Sequence, residues 1–585
     1  MCSIIGYLGD SPAAPILVKG LKRMEYRGYD SVGVATFSGN QILVRKGVGK
    51  VMEVNNTVKL DMLSGKVGIG HTRWATHGIV TEVNAHPHPS SSGKIAIVHN
   101  GIIDNYAELK KDLQEKGYNF KSETDSETIA NLLQYNFDQT KDIKKSMMQT
   151  ALELKGNYAF VAVFEDGTLA AARFHEPLII GVGKDGYFIS SDVLGFVEHT
   201  DEVIYPDNRE FVIINSEGIQ MFNYEGNPVQ HQITKVSKEL ADAYKGDYAH
   251  FTLKEISEQP LTILKAGDGT KRELDLVTEF VRHAKNLYIT GSGTSYNAAL
   301  VAKHLFSKYA KIKIEPLISS EVQFSSNLFD HQSILIAVSQ SGESADVLEA
   351  VNIAKKEGAK IISIVNITTS SLVHASSISI GLNCGPEIGV AATKSFTSQL
   401  AVLYKITERL GGFSVLDLDI VSKHITTILS DHSKIQNVAK KLKDVSDIYV
   451  LGRGVHYPIA SEAALKLKEL TYVHAEGIPG GELKHGPLAL MDSNVYVIII
   501  NPNDSTYVDT LASAHEIKAR GAKIIGISDK PNDVYDYWVE IPSVSEILFP
   551  LIEIIPIQLL AYYSALEKDT DPDYPRNLAK SVTVK

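Results

Sequence analysis

The chain has 585 residues, enough for two to four domains, and its 44% hydrophobic and 22% charged residues are typical of a globular protein with an ample core. A formal net charge of −11 at pH 7 is small for this length, which excludes a basic field for nucleic acid or for an anionic membrane surface. No apolar run approaches the ~20 residues of a membrane-spanning helix, and no leader-like segment is recognisable. The chain has only two cysteines, Cys2 and Cys384, which excludes a disulfide framework. We therefore expect a cytoplasmic protein.

Residues 2–237 are predicted to form an α+β domain with stacked antiparallel sheets. Short apolar runs such as "IIGYLG", "KVGIGHTRW" and "KIAIVHNG" predict strands, and Gly, Asn and Asp turns separate them. At least two amphipathic helices, "NYAELKKDLQEKG" and "SETIANLLQYNF", interrupt the strands. The polar and charged segment 238–260 is predicted to be a linker that leads into a helix.

The second half of the chain repeats itself. Apolar strands alternate with helices from residue 261 onward, which predicts a doubly wound parallel sheet. "NLYITGSGTSYNAALVAKHL" begins at residue 286 and aligns with "DIYVLGRGVHYPIASEAALK", which begins 161 residues later. "GAKIISIVN" and "GAKIIGISD" align at an offset of 163. These ordered matches predict two related α/β subdomains, 261–420 and 421–568, and a C-terminal tail, 569–585.

Two Ser- and Gly-rich turns follow strands of the first subdomain, "TGSGTS" at 290–295 and "SQSGES" at 339–344. Each turn opens a helix, so hydroxyls and backbone N–H groups converge where anions bind. Simple helix capping is the alternative for either turn alone. Tyr296 stands where a dinucleotide fingerprint needs its third Gly, and the sequence contains no P-loop motif, so a small phosphorylated metabolite is favoured. The second subdomain has "NPNDST" instead of "SQSGES", and its carboxylate is expected to repel phosphate.

The second subdomain carries titratable side chains instead. Lys466 and Glu469 share one face of a predicted helix, and His485 follows in a Gly- and Pro-rich loop. Ordinary solvated charges are the alternative, but the alternation with Ala and Leu favours partial burial. In the tail, Lys580 is flanked by apolar residues, which predicts that this segment docks onto the domain.

Cys2 is a candidate nucleophile because of its position. Removal of Met1 would give Cys2 a free α-amine, which can act as the base for its own thiol. Arg73 offers a bidentate clamp for a carboxylate, Asn100 and the Gly101 N–H offer oxyanion donors, and Asp125 suits an ammonium group. A salt bridge, a turn and a helix N-terminal acid are the ordinary alternatives for these three segments.

Five histidines lie close together in the sequence and make a metal site a competing interpretation. The group comprises His71, His77, His86, His88 and His99. No H-E-x-x-H helix and no cysteine accompanies them, so we predict no metal site.

Together these residues closely resemble the family of isomerising glutamine–fructose-6-phosphate aminotransferases, the glucosamine-6-phosphate synthases. The resemblance covers essentially the whole chain and rests on Cys2 and on "MEYRGYDS", "HTRWATHG", "NAHPH", "VHNGI", "SETDSE", "GTSYNA", "SQSGES", "EIGVAATKSF", "GELKHGPLAL" and "PRNLAKSVTV". It implies an N-terminal nucleophile glutaminase domain followed by two sugar isomerase (SIS) subdomains. It also implies transfer of ammonia from L-glutamine to D-fructose 6-phosphate, giving D-glucosamine 6-phosphate and L-glutamate, without a metal or an organic cofactor.

The resemblance also assigns roles to individual residues. On the glutaminase side it gives Cys2 as the nucleophile, Asn100 and Gly101 as oxyanion donors, and the glutamine contacts Arg73, Trp74, Thr76, His77 and Asp125, with Trp74 gating an ammonia channel. On the isomerase side it gives the sugar-phosphate contacts Thr294, Ser295, Ser339, Gln340, Ser341, Ser344 and Lys466. Lys580 would form a Schiff base, Glu469 would move a proton between C1 and C2, and His485 would open the ring. His485 would come from a neighbouring subunit, which implies a homodimer or a higher homo-oligomer.

The sequence departs from the family pattern at two positions, and two other functions remain as alternatives. Ser3 follows Cys2 where the family has glycine, and it is expected to crowd the nucleophile. Ser292 stands where the family has a cysteine.

One alternative function is that of a glutamine amidotransferase acting on phosphoribosyl pyrophosphate, which the duplicated subdomains and "GELKHGP" disfavour. The other is a non-catalytic phosphosugar sensor, which would lack Glu469, His485 and Lys580 together.

Overall fold

The computed structural model describes residues 2–25, 28–74, 78–235, 248–368, 370–414 and 417–581. The chain divides into two compact units, with the division after Tyr244. The domain limits that the sequence suggested, 2–237, 261–420 and 421–568, stay predictions. The second half of the suggested linker contains a helix with buried Thr252, Glu255 and Ile256, which belongs to the second unit.

The first unit contains fourteen strands among its described residues, arranged in two antiparallel sheets. The strands are β1 (Ser3–Gly9), β2 (Ser31–Ser38), β3 (Gln41–Val48), β4 (Val67–Arg73), β5 (His88–Pro89), β6 (Ile95–Ile103), β7 (Gly156–Phe164), β8 (Leu169–Phe174), β9 (Ile179–Gly183), β10 (Gly186–Ser190), β11 (Glu202–Ile204), β12 (Glu210–Asn215), β13 (Gly218–Asn223) and β14 (Thr234–Lys235). One sheet has the order β14-β11-β9-β10-β1-β4-β2-β3, and the other has the order β13-β12-β8-β7-β6-β5.

The two sheets stack face to face, and helices cover their outer faces. Ile4 and Ile69 of the first sheet share one apolar core with Val98 and Val161 of the second. The alternate residue Phe160 points the other way, into a core that the second sheet forms with its helices. The helices are α1 (Ala13–Arg23), α2 (Val51–Val58), α3 (Tyr106–Glu115), α4 (Ser126–Thr140) and α5 (Ile143–Glu153). The predicted stacked antiparallel sheets are therefore confirmed.

The first repeat of the second unit is a five-stranded parallel sheet in the order β16-β15-β17-β18-β19. Its strands are β15 (Asn286–Gly291), β16 (Glu315–Ile318), β17 (Ser333–Ser339), β18 (Lys360–Val365) and β19 (Ile378–Gly381). Its helices, with the two that precede them, are α6 (Phe251–Ser257), α7 (Gln259–Lys265), α8 (Lys271–His283), α9 (Thr294–Leu305), α10 (Ala345–Lys356), α11 (Ser371–Ala375) and α12 (Lys394–Gly411).

The second repeat has the same arrangement, with the order β21-β20-β22-β23-β24. Its strands are β20 (Asp447–Gly452), β21 (His474–Pro479), β22 (Tyr496–Ile500), β23 (Lys523–Ser528) and β24 (Tyr537–Glu540). Its helices are α13 (Leu418–Ser430), α14 (Ser433–Lys441), α15 (His456–Thr471), α16 (Tyr507–Lys518) and α17 (Phe549–Glu567). The duplication that the offsets predicted is confirmed.

Both parallel sheets are covered on two faces, as a doubly wound fold requires. Ile336 and Val338 of β17 face the large core that also receives α9, α12 and α17. Leu335 and Ala337, the alternate residues, face a smaller core with Val347 of α10. Within the described residues, the stretch Glu546–Glu567 is the one helix long and apolar enough to cross a membrane, and 94% of its most apolar window is buried inside the protein.

Candidate active sites

Cys2 lies at the edge of a pocket in the first unit because of the register of two strands. Antiparallel pairing of β1 with β4 sets Ser3 opposite Thr72, so Cys2 lies beside the end of β4. The Trp74 N–H donates to the Cys2 Sγ atom over 3.1 Å. Burial raises the pKa of the Cys2 thiol, and the Trp74 N–H and the Arg73 charge partly oppose that shift. Ser3 is the residue that the sequence expected to crowd this thiol, and its Oγ atom donates to the Met24 carbonyl over 2.8 Å.

The pocket brings together most of the residues that the sequence singled out on this side. Its lining consists of Cys2, Arg73, Trp74, His86, His99, Gly101, Thr124, Asp125 and Ser126. Arg73 donates to the Gly78 carbonyl over 3.0 Å, and the Ile103 N–H donates to Asp125 over 2.9 Å. Burial lowers the pKa of the Arg73 guanidinium, while the charges of Cys2, Asp30 and Asp125 oppose this effect. The predicted contacts Thr76 and His77 lie outside the described residues.

Asn100 and Gly101 follow one another on β6, next to the thiol. The Asn100 Nδ2 atom donates to the Cys2 carbonyl over 3.2 Å. Gly101 has a φ of +111°, and an added Cβ would lie 2.0 Å from the Asn157 carbonyl oxygen, so glycine is required there. The side-chain amide and the adjacent backbone N–H thus belong to the same stretch of strand, as an oxyanion site needs.

Three histidines of the first unit, His71, His86 and His88, form a buried ring cluster. The rings of His71 and His86 stack with centroids 4.0 Å apart, and His86 meets His88 edge-on at 4.5 Å. Burial lowers the pKa values of these three imidazoles, that of His71 to about 3, so they are neutral near pH 7. The one group of metal-ligating atoms close enough to hold an ion, within the part of the chain that the structure describes, lies elsewhere and comprises Asp207, Glu210 and His231.

The serine-rich turns of the second unit lie at the carboxyl ends of two neighbouring strands. β15 and β17 are adjacent and parallel, so the turns that follow them meet at one edge of the sheet. Ser339 Oγ accepts from the Gly342 N–H over 2.9 Å, and Ser344 is the N-cap of α10. Gln340 follows Ser339 directly and accepts through its carbonyl from the Asn366 N–H. This edge is where a doubly wound sheet binds its ligand.

Residues of the second repeat reach the N-terminus of α9. Lys466 is fully buried, and its Nζ lies 2.5 Å from Glu469 and 3.1 Å from the Thr294 hydroxyl. The Thr294 hydroxyl donates in turn to Glu462 over 3.0 Å. Ser295 accepts from Gln399 of α12 over 3.0 Å. Burial opposes the charge on Lys466, but the two carboxylates outweigh it and raise its pKa above the usual value.

Lys580 is brought to the same edge by the docked C-terminal tail. Its Nζ atom lies 2.6 Å from Glu387 and donates to the Gly389 carbonyl over 2.8 Å. Its neighbour Ser581 shares a hydrogen bond of 2.8 Å with Ser341, in the serine-rich turn that precedes α10. The predicted docking of the tail therefore agrees with its contacts, and this serine-rich turn lies next to Lys580.

Three carboxylates were missed by the sequence reasoning. Glu387 accepts from the Thr393 and Ser395 N–H groups as well as from Lys580, and these partners outweigh burial and lower its pKa to about 2. Glu255 accepts from the Ile388 and Gly389 N–H groups, and burial raises its pKa to about 8. Glu462 lies one helical turn before Lys466, a spacing that could have suggested it. The contacts of Glu387 with Lys580 and of Glu255 with Ile388 join distant segments, so the sequence carries no local signal for them.

His485 is placed differently from the other predicted catalytic residues. It ends the short 3₁₀ helix Gly480–His485 and is exposed to solvent. Lys580 and Glu469 instead pair with Glu387 and Lys466. It is thus a surface residue of the second unit.

In the second repeat, an ion pair occupies the positions equivalent to the two serine-rich turns. His456 occupies the repeat position of Ser295, and its Nε2 atom lies 2.8 Å from Asp504 in "NPNDST". Its Nδ1 atom lies 2.9 Å from Glu553 of α17. A buried internal ion pair therefore stands where the first repeat has hydroxyl side chains.

Family models match both units. The model described as "Glutamine amidotransferase domain" matches residues 71–197, which include most of the thiol pocket. The model described as "SIS domain" matches twice, at residues 280–409 and 441–568, once in each repeat. The predicted fold class, a glutaminase domain followed by two SIS subdomains, is confirmed by these matches.

Full-length relatives agree with the domain matches. "Glutamine--fructose-6-phosphate aminotransferase [isomerizing]" of Pyrococcus horikoshii is 42% identical over 597 residues, covering all of both chains. The protein of the same name from Bacteroides thetaiotaomicron is 42% identical over 616 residues, again covering both chains completely. A solved structure, the "C-terminal domain of glucosamine-fructose-6-phosphate aminotransferase" from Francisella tularensis, is 37% identical, with a TM-score of 0.53, and covers 57% of this chain and 100% of its own. The chain belongs to the family of isomerising glutamine–fructose-6-phosphate aminotransferases.

Proposed function

We propose that this protein transfers ammonia from L-glutamine to D-fructose 6-phosphate and isomerises the product, giving D-glucosamine 6-phosphate and L-glutamate. The observation that carries the proposal is the contact of the Lys580 tail with the serine-rich turn, through Ser581 and Ser341, in a chain that also holds a thiol pocket. A serine-rich helix N-terminus suits a phosphate, and an adjacent lysine suits a sugar carbonyl.

In the first unit, Cys2 attacks the amide carbon of glutamine after Met1 has been removed. The α-amine takes the thiol proton and passes it to the departing ammonia. Asn100 Nδ2 and the Gly101 N–H stabilise the tetrahedral oxyanion. Arg73 and Asp125, on the wall of the same pocket, suit the α-carboxylate and the α-ammonium of the substrate. Water then hydrolyses the thioester and releases glutamate. Thr76 and His77 are proposed as further contacts on the strength of the sequence alone.

In the second unit, the hydroxyls and backbone N–H groups of the two serine-rich turns hold the phosphate. The proposed contacts are Thr294, Ser295, Ser339, Gln340, Ser341 and Ser344, with Lys466 beside the sugar. His485 opens the ring, and Lys580 attacks the C2 carbonyl to form an imine, releasing water. Ammonia displaces the lysine from this imine, and Glu469 moves a proton from C1 to C2 to give the amino aldose.

Ammonia must reach the sugar as the neutral molecule, because ammonium is not nucleophilic. A path protected from water serves this purpose, and Trp74, whose ring meets Tyr29 edge-on at 5.8 Å, is proposed as its gate. The exposed position of His485 fits a role in the site of a second subunit, so we propose a homodimer as the smallest active form. We propose the cytoplasm as the location, with neither nucleic acid nor a membrane as a partner.

The proposal is tested by one incubation with amide-¹⁵N-glutamine and fructose 6-phosphate, followed by mass detection of the products. We expect ¹⁵N-glucosamine 6-phosphate and glutamate in equal amounts. Cys2→Ala is expected to abolish both products, whereas Lys580→Ala is expected to abolish only the amino sugar. Formation of glutamate by the unchanged protein without any hexosamine phosphate would refute the synthase function. Phosphoribosyl pyrophosphate in place of the sugar tests the competing amidotransferase.

A further inference from the structure

We infer that His71 is a positioning residue for the glutaminase reaction: its Nε2–H fixes the orientation of the Asn100 carboxamide and so aims the Nδ2 donor at the thiol site. The inference rests on the proposed function and adds a residue to its machinery. His71 lies on β4 of the first sheet, whereas Asn100 lies on β6 of the second, so the contact crosses the interface between the sheets.

The tautomer of His71 follows from its partners. The Nε2 atom lies 2.9 Å from the His99 carbonyl oxygen, and a carbonyl can only accept. His71 therefore carries its proton on Nε2. The Nδ1 atom is buried and has no hydrogen-bond partner among the described residues, as suits a bare lone pair rather than an N–H group. Burial lowers the pKa of His71 to about 3, so this neutral form persists throughout the working range of pH.

The same proton fixes the amide of Asn100. The His71 Nε2 atom also lies 3.2 Å from Asn100 Oδ1, so the N–H is shared between two oxygens. At the other end of the amide, Nδ2 faces the Cys2 carbonyl over 3.2 Å, and that carbonyl can only accept. Two backbone carbonyls, those of His99 and Cys2, thus dictate the same orientation independently. If the amide turned over, its NH₂ group would meet the His71 N–H, and its oxygen would meet the Cys2 carbonyl.

The imidazole itself is held in place. Its ring stacks on His86 with an interplanar angle of 21°, and both rings are buried. The buried His71 thus orients the side chain of Asn100, which is proposed to contact the oxyanion. Removal of an oxyanion donor typically costs about 10²–10³ in kcat, and loss of its orientation is expected to cost part of that factor.

The test compares His71→Leu with His71→Gln in the full-length protein. The Gln side chain can place an N–H close to the position of Nε2, whereas Leu removes the donor. We expect kcat for glutamine hydrolysis to fall at least about tenfold in His71→Leu and to stay within about threefold of the unchanged protein in His71→Gln. KM for glutamine and the inhibition constant of L-glutamate are expected to change less than about twofold, because the carboxylate and ammonium contacts are not touched.

Alkylation of Cys2 by iodoacetamide separates positioning from general damage. This reaction uses the thiolate but no oxyanion, so its rate is expected to stay within about twofold in His71→Leu. Peptide mass mapping distinguishes Cys2 from the buried Cys384. The inference is overturned if kcat of His71→Leu is unchanged, if His71→Gln loses as much activity as His71→Leu, or if alkylation slows in parallel with kcat. An unchanged protein that hydrolyses no glutamine would overturn the proposed function, and this inference with it.

Discussion

The ammonium group of Lys580 is held 2.6 Å from the carboxylate of Glu387, although the two residues are 193 positions apart in the chain. Both side chains are nearly inaccessible, with exposures of 5% and 0%. The pair explains how Lys580 of the C-terminal tail is kept at a fixed point in the proposed sugar site.

Lys580 is expected to form a covalent adduct with the sugar. Incubation with fructose 6-phosphate and cyanoborohydride should reduce the imine and add one sugar phosphate to Lys580, detected by peptide mass. Lys580→Arg keeps the charge but cannot form the imine, so it should show neither adduct nor amination. Labelling of another lysine with full activity in Lys580→Arg would contradict the assignment.

Asp573 is expected to matter for amination without touching the sugar. Its carboxylate accepts from the Phe251 and Thr252 N–H groups, and its carbonyl accepts from the Val390 N–H, so it ties the tail to the domain. Asp573→Ala should loosen Lys580 and lower kcat for amino sugar formation by about tenfold or more. Glutamine hydrolysis measured on the same sample is the control and should change little. Full amination activity in Asp573→Ala would show that the tail is held by other contacts.

Gly342→Ala is expected to weaken binding of the sugar phosphate. Gly342 has a φ of +68°, and an added Cβ would lie 2.1 Å from the Ser370 hydroxyl oxygen, so the turn must shift. We expect KM for fructose 6-phosphate to rise by about tenfold, which corresponds to ~1.4 kcal/mol. Gly412→Ala is the matched control, because Gly412 has a φ of +65° with nothing within 4 Å of the added Cβ. Gly412→Ala should lower the stability of the protein without changing KM for fructose 6-phosphate. An equal rise in KM for both variants would refute the steric argument.

His456 is expected to stabilise the second unit in a pH-dependent way. Burial opposes its charge, but Glu553 and Asp504 outweigh burial and raise its pKa to about 10 in the folded protein, above the ~6.5 of an unfolded histidine. The stabilisation is therefore fully present below about pH 6.5 and is lost as the pH rises through about 10. His456→Ala should cost about 3–5 kcal/mol at pH 6.5, because two buried carboxylates lose their cation, and the difference should shrink towards pH 10.

Chemical denaturation of the unchanged protein and of His456→Ala between pH 6 and pH 10 checks the expected pH dependence. The exposed His474, which pairs with Asp447 at 3.1 Å, provides the control. His474→Ala should change the free energy of unfolding by no more than about 1 kcal/mol. A difference for His456→Ala that stays constant across the range would exclude a titration of this group.

The sequence predicted what depends on local pattern. Strand alternation predicted the stacked sheets, and the offset of 161 residues located the pairs β15 with β20 and β17 with β22. The serine-rich turns were found because a turn between a strand and a helix is a local feature. The helices α1, α2 and α5 were not singled out, since short amphipathic stretches between strong strands carry little signal.

The rest depends on contacts between distant segments. Nothing near Glu387 indicates that Lys580 will reach it, because that contact needs the tail to dock first. The His71 contact with Asn100 likewise exists only once two sheets have stacked in one register. The ion pair of His456 was half visible, since the aspartate in "NPNDST" predicted loss of phosphate binding but not its buried partner. The roles carried over from the family resemblance stay predictions.

The buried Glu462 also bears on how the second unit folds. This residue of α15 accepts hydrogen bonds from Thr294 and Asn297 of α9, and one apolar core receives side chains from both repeats. A repeat separated from its sister would expose that core and leave the carboxylate of Glu462 without these donors. The two repeats should therefore melt in a single cooperative transition, and neither should survive proteolysis as an independently folded fragment.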